Sequence, residues 1–332
     1  MQKLMKIKPI IIVAGEPYSV FLEILFKTLK TKSIKKISNP VVLISSLKLV
    51  LSQMAKLNFK YRVKSIKKDE VGKILLKKNI LYIIDVKFKH KKIFDKISVK
   101  SKSYIKKSFM IGINLMKEKK GLVLINGPVS KIDFLGKRYP GITEYIADKV
   151  DKKGKEVMLI YNKNLAVTPI TTHIPLNKVF KKISIKQIVT KVIEIDKFYK
   201  KILNKNAKIG ITGLNPHCES NDKISEEKKT INPAIRKLRR RGIKINGPFP
   251  TDTIFLKKNR TKLDVIVGMY HDQVLSPIKT LYEFNAINIT LGLPFIRITP
   301  DHGPNNIMLG KNKSDPSSLI EAFKFIKNIR GN

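Results

Sequence analysis

The sequence predicts an α/β fold, a mainly parallel sheet covered by helices on both faces and divided into two interleaved lobes with a cleft. Three observations predict it. Short apolar runs rich in β-branched residues alternate with longer stretches of helical periodicity along almost all 332 residues, the pattern of strands joined by crossover helices. A chain of this length can bury two cores or one large divided core. No low-complexity linker and no fixed-period repeat separates the halves, so the lobes must share elements. The expected boundaries are lobe A at 1–130 plus 285–332 and lobe B at 131–284.

Taken in order, strands are read at 10–13, 41–44, 80–86, 122–125, 157–161, 209–212, 265–269 and 287–290, each short and apolar. Helices are read at 21–29, 104–117, 185–203, 231–241 and 317–329. The first strand could be mistaken for a targeting segment, since lysines precede its apolar run. That run is short, however, and passes straight into Gly15-Glu16-Pro17 without a small-residue cleavage pattern. No stretch of 18 apolar residues occurs, so a spanning helix is not expected. The lysine-rich segments 30–39 and 63–79 read as solvated edges and loops.

The formal charge of +43 raises the possibility of a basic, non-catalytic nucleic-acid-binding protein. Its distribution argues against that reading. The 59 lysines fall in nearly every segment, as a general compositional bias would place them. The compact cluster Arg239-Arg240-Arg241 ends a helical run before Gly242, where cations complement the helix dipole. The one cysteine, Cys218, allows neither an intramolecular disulfide nor a thiolate cluster for a structural metal, and fits a reducing, cytoplasmic setting.

The chemistry concentrates at strand ends. Of the five histidines, His173 follows the run 167–172, His217 follows 209–214 within Asn215-Pro216-His217, and His271 follows 265–270 and precedes Asp272. Ligands of parallel α/β sheets bind beyond the carboxyl ends of the strands, so these imidazoles can meet at one rim and hold a divalent cation. Each alone is more readily an ordinary loop residue, it is their joint placement that weakens that reading, and the long separations form no compact ligand motif. His90, among lysines, reads as a solvated surface residue. Asp252, in Pro250-Thr251-Asp252-Thr253, is either a carboxylate of the site or a helix N-cap. Asp272, beside His271, is a second candidate general base. Fixed cations and donors for an anion include Lys131, Lys279, Asn288 and Arg297. Arg297 stands in an otherwise apolar run, where an arginine needs an anionic partner.

The motifs Thr171-Thr172-His173-Ile174-Pro175-Leu176, Gly213-Leu214-Asn215-Pro216-His217, Asn246-Gly247-Pro248 through Asp252-Thr253, Met269-Tyr270-His271-Asp272-Gln273, Gly292-Leu293-Pro294-Phe295-Ile296-Arg297 and Asp301-His302-Gly303 occur in one order. In this the sequence resembles the 4-hydroxythreonine-4-phosphate dehydrogenase family, strongly over residues 120–330 and more weakly at Gly15-Glu16-Pro17. The resemblance implies an isocitrate/isopropylmalate-dehydrogenase-like fold and a homodimer whose active sites are shared between subunits. It also implies NAD or NADP as cofactor without the Gly-x-Gly-x-x-Gly motif, and one divalent metal ion, whether zinc, magnesium, manganese or cobalt.

By the same resemblance, His173, His217 and His271 are metal ligands and Thr143, Lys279, Asn288 and Arg297 contact substrate. The implied reaction oxidises 4-phosphooxy-L-threonine, a small phosphorylated hydroxy amino acid, and decarboxylates the product to 3-amino-2-oxopropyl phosphate in pyridoxine 5'-phosphate biosynthesis. A related oxidation of threonate or erythronate phosphate is the alternative. Several positions depart from the family pattern: Ile142 stands where a substrate-contacting histidine is usual, Tyr18-Ser19-Val20-Phe21 replaces a small glycine-containing stretch, Asn126 replaces a threonine, and Pro304-Asn305-Asn306-Ile307 replaces a polar and acidic pattern.

Overall fold

The computed structural model describes residues 7–218 and 225–329. The chain runs through β1 (Ile10–Val13), α1 (Phe21–Lys30), α2 (Lys32–Lys35), β2 (Val41–Ser45), α3 (Leu47–Lys56), β3 (Val63–Ser65), β4 (Leu81–Asp85), α4 (Lys102–Lys117), β5 (Val123–Asn126) and α5 (Ile142–Lys149). It continues through β6 (Val157–Asn162), β7 (Leu165–Pro169), α6 (Val179–Lys182), α7 (Ile185–Ile202), β8 (Ile209–Thr212), α8 (Asn232–Arg239), β9 (Ile245–Phe249), α9 (Thr251–Ile254) and α10 (Lys257–Arg260). It closes with β10 (Val265–Gly268), α11 (His271–Tyr282), β11 (Ile287–Leu291), β12 (Arg297–Pro300) and α12 (Ser317–Lys327).

Two compact units result, one drawn from residues up to Gly154 and from Leu293 onward, the other Lys155–Gly292. The chain crosses between them at 154/155 and 292/293, against the 130/131 and 284/285 read from the sequence. The first crossing falls later because α5 stays with the N-terminal core. Its Tyr145 ring packs 6.1 Å from Phe109 of α4 and 5.2 Å from Phe134.

In the first unit the strands lie in the order β3-β4-β2-β1-β5-β12, and every pairing is parallel. All residues of β1, β2 and β5 are buried, so both faces are covered, which is why these strands read as unbroken apolar runs. β3 is the exposed edge expected of its lysine-rich segment. The loops leaving β1 and β5 touch backbone to backbone. A Cβ on Gly127 would stand 2.2 Å from the Ala14 carbonyl oxygen, and Gly15, at φ +76°, would meet Pro128 O at 2.4 Å.

In the second unit the order is β11-β6-β7-β10-β8-β9. The stretch β7-β10-β8-β9 is parallel, while β6 runs antiparallel to both β11 and β7. The core joins Ile160, Leu165, Val167 and Ile266 of the strands to Val274 and Ile278 of α11 and Ile254 of α9. α7 starts where Ser184 Oγ accepts from Gln187 N–H. α8 ends at Arg239, with Gly242 at φ +74° as its stop. Among the described residues no helix is long and apolar enough to cross a membrane.

Candidate active site

Because β7, β10, β8 and β9 are parallel neighbours, their carboxyl ends share one rim of the second unit. His173 follows β7, His271 opens α11 just after β10, His217 follows β8, and Asp252 follows β9. The rings of His173 and His271 stand 5.9 Å apart, centroid to centroid. Two imidazoles bound to one ion at about 2.1 Å and at octahedral or tetrahedral angles have centroids roughly 4.6 to 5.3 Å apart, so this pair stands near, and slightly wider than, the spacing of a shared cation. His217 lies on the adjacent strand end in a left-handed conformation, φ 56°. Among the described residues no group of three or more His, Cys, Asp or Glu side chains closes into a ligand cage. The donors, three imidazoles at neighbouring strand ends, fit a divalent ion in kind.

Asp272 is exposed, and its Oδ1 lies 2.6 Å from His271 Nδ1. A carboxylate there fixes the ring orientation and points Nε2 away from the contact. Asp252 does not cap a helix. α9 begins one residue earlier, with Pro250 in the cap position, so the Asp252 carboxylate is exposed in the first turn.

In the first unit, Arg297 is fully buried. Its Nε donates to Asn126 Oδ1 at 2.8 Å and its Nη1 to Thr143 Oγ1 at 2.7 Å, joining the end of β5 to the start of α5. Burial pulls the guanidinium down to about 9, with the Glu144 carboxylate acting the other way. Glu144 is thus the anionic neighbour that a buried arginine requires. Ile142 is partly buried and packs against the apolar cluster of the first unit. Of the neighbouring donors, Ser130 is engaged by Asp133 at 2.6 Å, while Lys131 is exposed.

Lys279 and Asn288 lie in the second unit. Burial lowers the Lys279 ammonium pKa, and its Nζ sits 5.9 Å from the Phe284 ring. Asn288 Oδ1 is buried on β11 with no hydrogen-bond partner among the described residues. His90 is half-buried rather than solvated, its ring stacked 6.1 Å from Phe88 and its Nδ1 3.1 Å from the Phe88 carbonyl. His302, in the first unit, stacks 6.0 Å from Phe21.

Three polar residues, two of them within the motifs, received no role from the sequence. Glu227 is buried, and one oxygen accepts the backbone N–H groups of Leu214 and Asn215 at 2.8 and 2.9 Å, bracing the loop that leads to His217. Burial raises its pKa, but hydrogen bonds from Asn215 and Leu214 outweigh burial and hold the carboxyl below its ordinary value. Gln273 is buried at the start of α11. Glu16, after β1, has two buried carboxyl oxygens without a hydrogen-bond partner. Burial sets all three apart, and burial is not visible in sequence.

Residues 36–326 match the family described as pyridoxal phosphate biosynthetic protein PdxA. A relative from Sulfurihydrogenibium sp. (strain YO3AOP1), named 4-hydroxythreonine-4-phosphate dehydrogenase, is 39% identical over 332 residues, covering 96% of this chain and 98% of its own. One of the same name from Zymomonas mobilis is 35% identical over 226 residues, 67% of this chain and 68% of its own. Among solved structures, 4-hydroxythreonine-4-phosphate dehydrogenase from Klebsiella pneumoniae superposes with TM-score 0.84 at 26% identity, covering 98% of each chain. A terephthalate 1,2-cis-dihydrodiol dehydrogenase from Burkholderia xenovorans shares the fold alone, with TM-score 0.66 at 17% identity over 97% of this chain and 98% of its own. With its α/β architecture, its rim of strand-end histidines and a match over most of its length, the chain belongs to the PdxA family of pyridoxal phosphate biosynthetic proteins.

Proposed function

We propose that this protein oxidises 4-phosphooxy-L-threonine with NAD or NADP in the presence of a divalent metal ion, and that decarboxylation follows to give 3-amino-2-oxopropyl phosphate. The observation that carries the reading is near full-length similarity to a relative named for this activity, 39% identical over 96% of the chain. His173, His217 and His271 hold the ion, be it zinc, magnesium, manganese or cobalt. When bound, the ion supplies Lewis acidity for hydroxyl deprotonation and for polarising the new carbonyl, and the nicotinamide supplies a hydride acceptor.

The protein's own groups do the rest. Asp272 orients the His271 ring through its 2.6 Å contact. Asp252, exposed beside the rim, is our candidate general base. Arg297 and Thr143 form a pre-assembled anion-binding pair, since the guanidinium is already fixed by two hydrogen bonds. Lys279 adds positive charge, and the unpartnered Asn288 Oδ1 accepts from a substrate donor. We assign a homodimer with shared active sites and a cytoplasmic setting, in which sedimentation tests the first and cell fractionation the second.

One observation favours a second reading, the oxidation of threonate or erythronate phosphate. Ile142 is partly packed against the apolar cluster and has no polar group to offer a substrate. Purified protein assayed with each acid phosphate and both nicotinamides separates the two: fastest turnover of 4-phosphooxy-L-threonine supports the first reading, and turnover of only the other acids replaces it.

A further inference from the structure

We infer that Gln273 is the positioning residue of the histidine rim, its single amide setting the loops that carry all the proposed metal ligands and Asp252. The inference rests on the metal-site reading above. The parallel ladder that aligns these strands ends at Pro169 on β7, Ile211 on β8 and Gly268 on β10, and every candidate ligand lies beyond it. Where the ladder stops, Gln273 takes over. Its Oε1 accepts from Met269 N–H at 2.6 Å and from the Thr212 hydroxyl at 2.9 Å. Its Nε2 donates to the Gly213 carbonyl at 2.8 Å and to Thr251 Oγ1 at 2.9 Å. Met269 is in turn tied to the β7 loop, since its carbonyl accepts from both Thr171 N–H at 3.1 Å and Thr171 Oγ1 at 2.8 Å.

Each anchor stands close to a functional residue in sequence. Thr171 precedes His173 by two positions, Gly213 precedes His217 by four, Thr251 adjoins Asp252, and Met269 precedes His271 by two. The amide is 6% exposed and uses both donor hydrogens and both acceptor sites, so no other side chain of its size satisfies all four neighbours. A carboxylate would turn an oxygen against the Gly213 carbonyl, and an apolar isostere would leave four buried groups without their partner.

The test uses full-length protein stripped of metal and titrated with Co2+, whose visible absorption reports both affinity and coordination geometry. Gln273→Glu and Gln273→Met should bind Co2+ about 10- to 100-fold more weakly than the parent, with an altered band shape. Thr251→Val, which removes one of the four bonds, should lose about fivefold and guards against misfolding of the harsher variants. Ile188→Ala, a core truncation in α7, should lower the melting temperature while leaving Co2+ affinity and spectrum as in the parent. If the Gln273 and Thr251 variants match the parent in affinity and spectrum, or if Ile188→Ala weakens Co2+ equally, the inference is overturned. A parent protein that binds no Co2+ overturns the metal-site reading and takes this inference with it.

Discussion

Replacing Glu16 with Gln removes a carboxyl that the fold holds in an unfavourable place. Its side chain is 2% exposed and neither oxygen makes a hydrogen bond. Burial raises its pKa from 4.5 to about 7, and the Asp133 charge adds to the rise. A folded pKa above the unfolded one means that protonation favours the folded state. No penalty exists below pH 4.5, stability is lost as pH rises toward about 7, and the loss is complete above that. The 2.5-unit difference between those two values, at about 1.36 kcal/mol per unit, makes the full penalty about 3 kcal/mol. For 332 residues that corresponds to roughly 5 °C in melting temperature. Thermal unfolding of parent and Glu16→Gln across this pH range tests the reasoning: the variant should match the parent near pH 4 and exceed it by several degrees at pH 8. A difference that does not change with pH, or a parent that gains on the variant as pH rises, refutes it.

Arg297→Lys keeps a charge but cannot reproduce the paired contacts to Asn126 and Thr143, so kcat/KM should fall about 10- to 100-fold in steady-state assays. If Lys131 replaces the donor lost at Ile142, Lys131→Ala should raise KM for 4-phosphooxy-L-threonine far more than Ile142→His changes it; if it does not, Ile142→His should lower KM by about one power of ten. The Glu227 carboxyl is held below its ordinary 4.5, so its contribution is present above pH 4.5 and lost as pH falls through the folded value. Urea unfolding should therefore show Glu227→Gln less stable than the parent at neutral pH, with the gap closing in acid.

Much of the fold was legible because β1, β2, β5, β8 and β10 are uninterrupted apolar runs, the mark of strands buried on both faces. β9 was missed because Asn246-Gly247-Pro248 breaks its pattern, and α11 because Pro277 stands in its interior. β12 spans only four residues and opens on a buried arginine, which propensity alone assigns to a surface. The rim could be foreseen, since strand ends in a parallel sheet share one edge and the histidines stand directly after them. Its bracing could not. Gln273 reaches Thr212 across 61 positions and Glu227 reaches Leu214 across 13, and such bonds leave no periodic trace. The N-cap reading of Asp252 failed for a local reason: the helix starts at Thr251, whose hydroxyl accepts from Gln273.

The most direct test of the account is turnover of 4-phosphooxy-L-threonine by the purified, metal-stripped protein, followed by nicotinamide reduction and CO2 release before and after a divalent ion is added back. The account predicts no reduction without the ion, restored reduction and CO2 release with it, and neither in His173→Ala or His271→Ala at equal ion. Undiminished turnover by the stripped protein, or by either histidine variant, would contradict it.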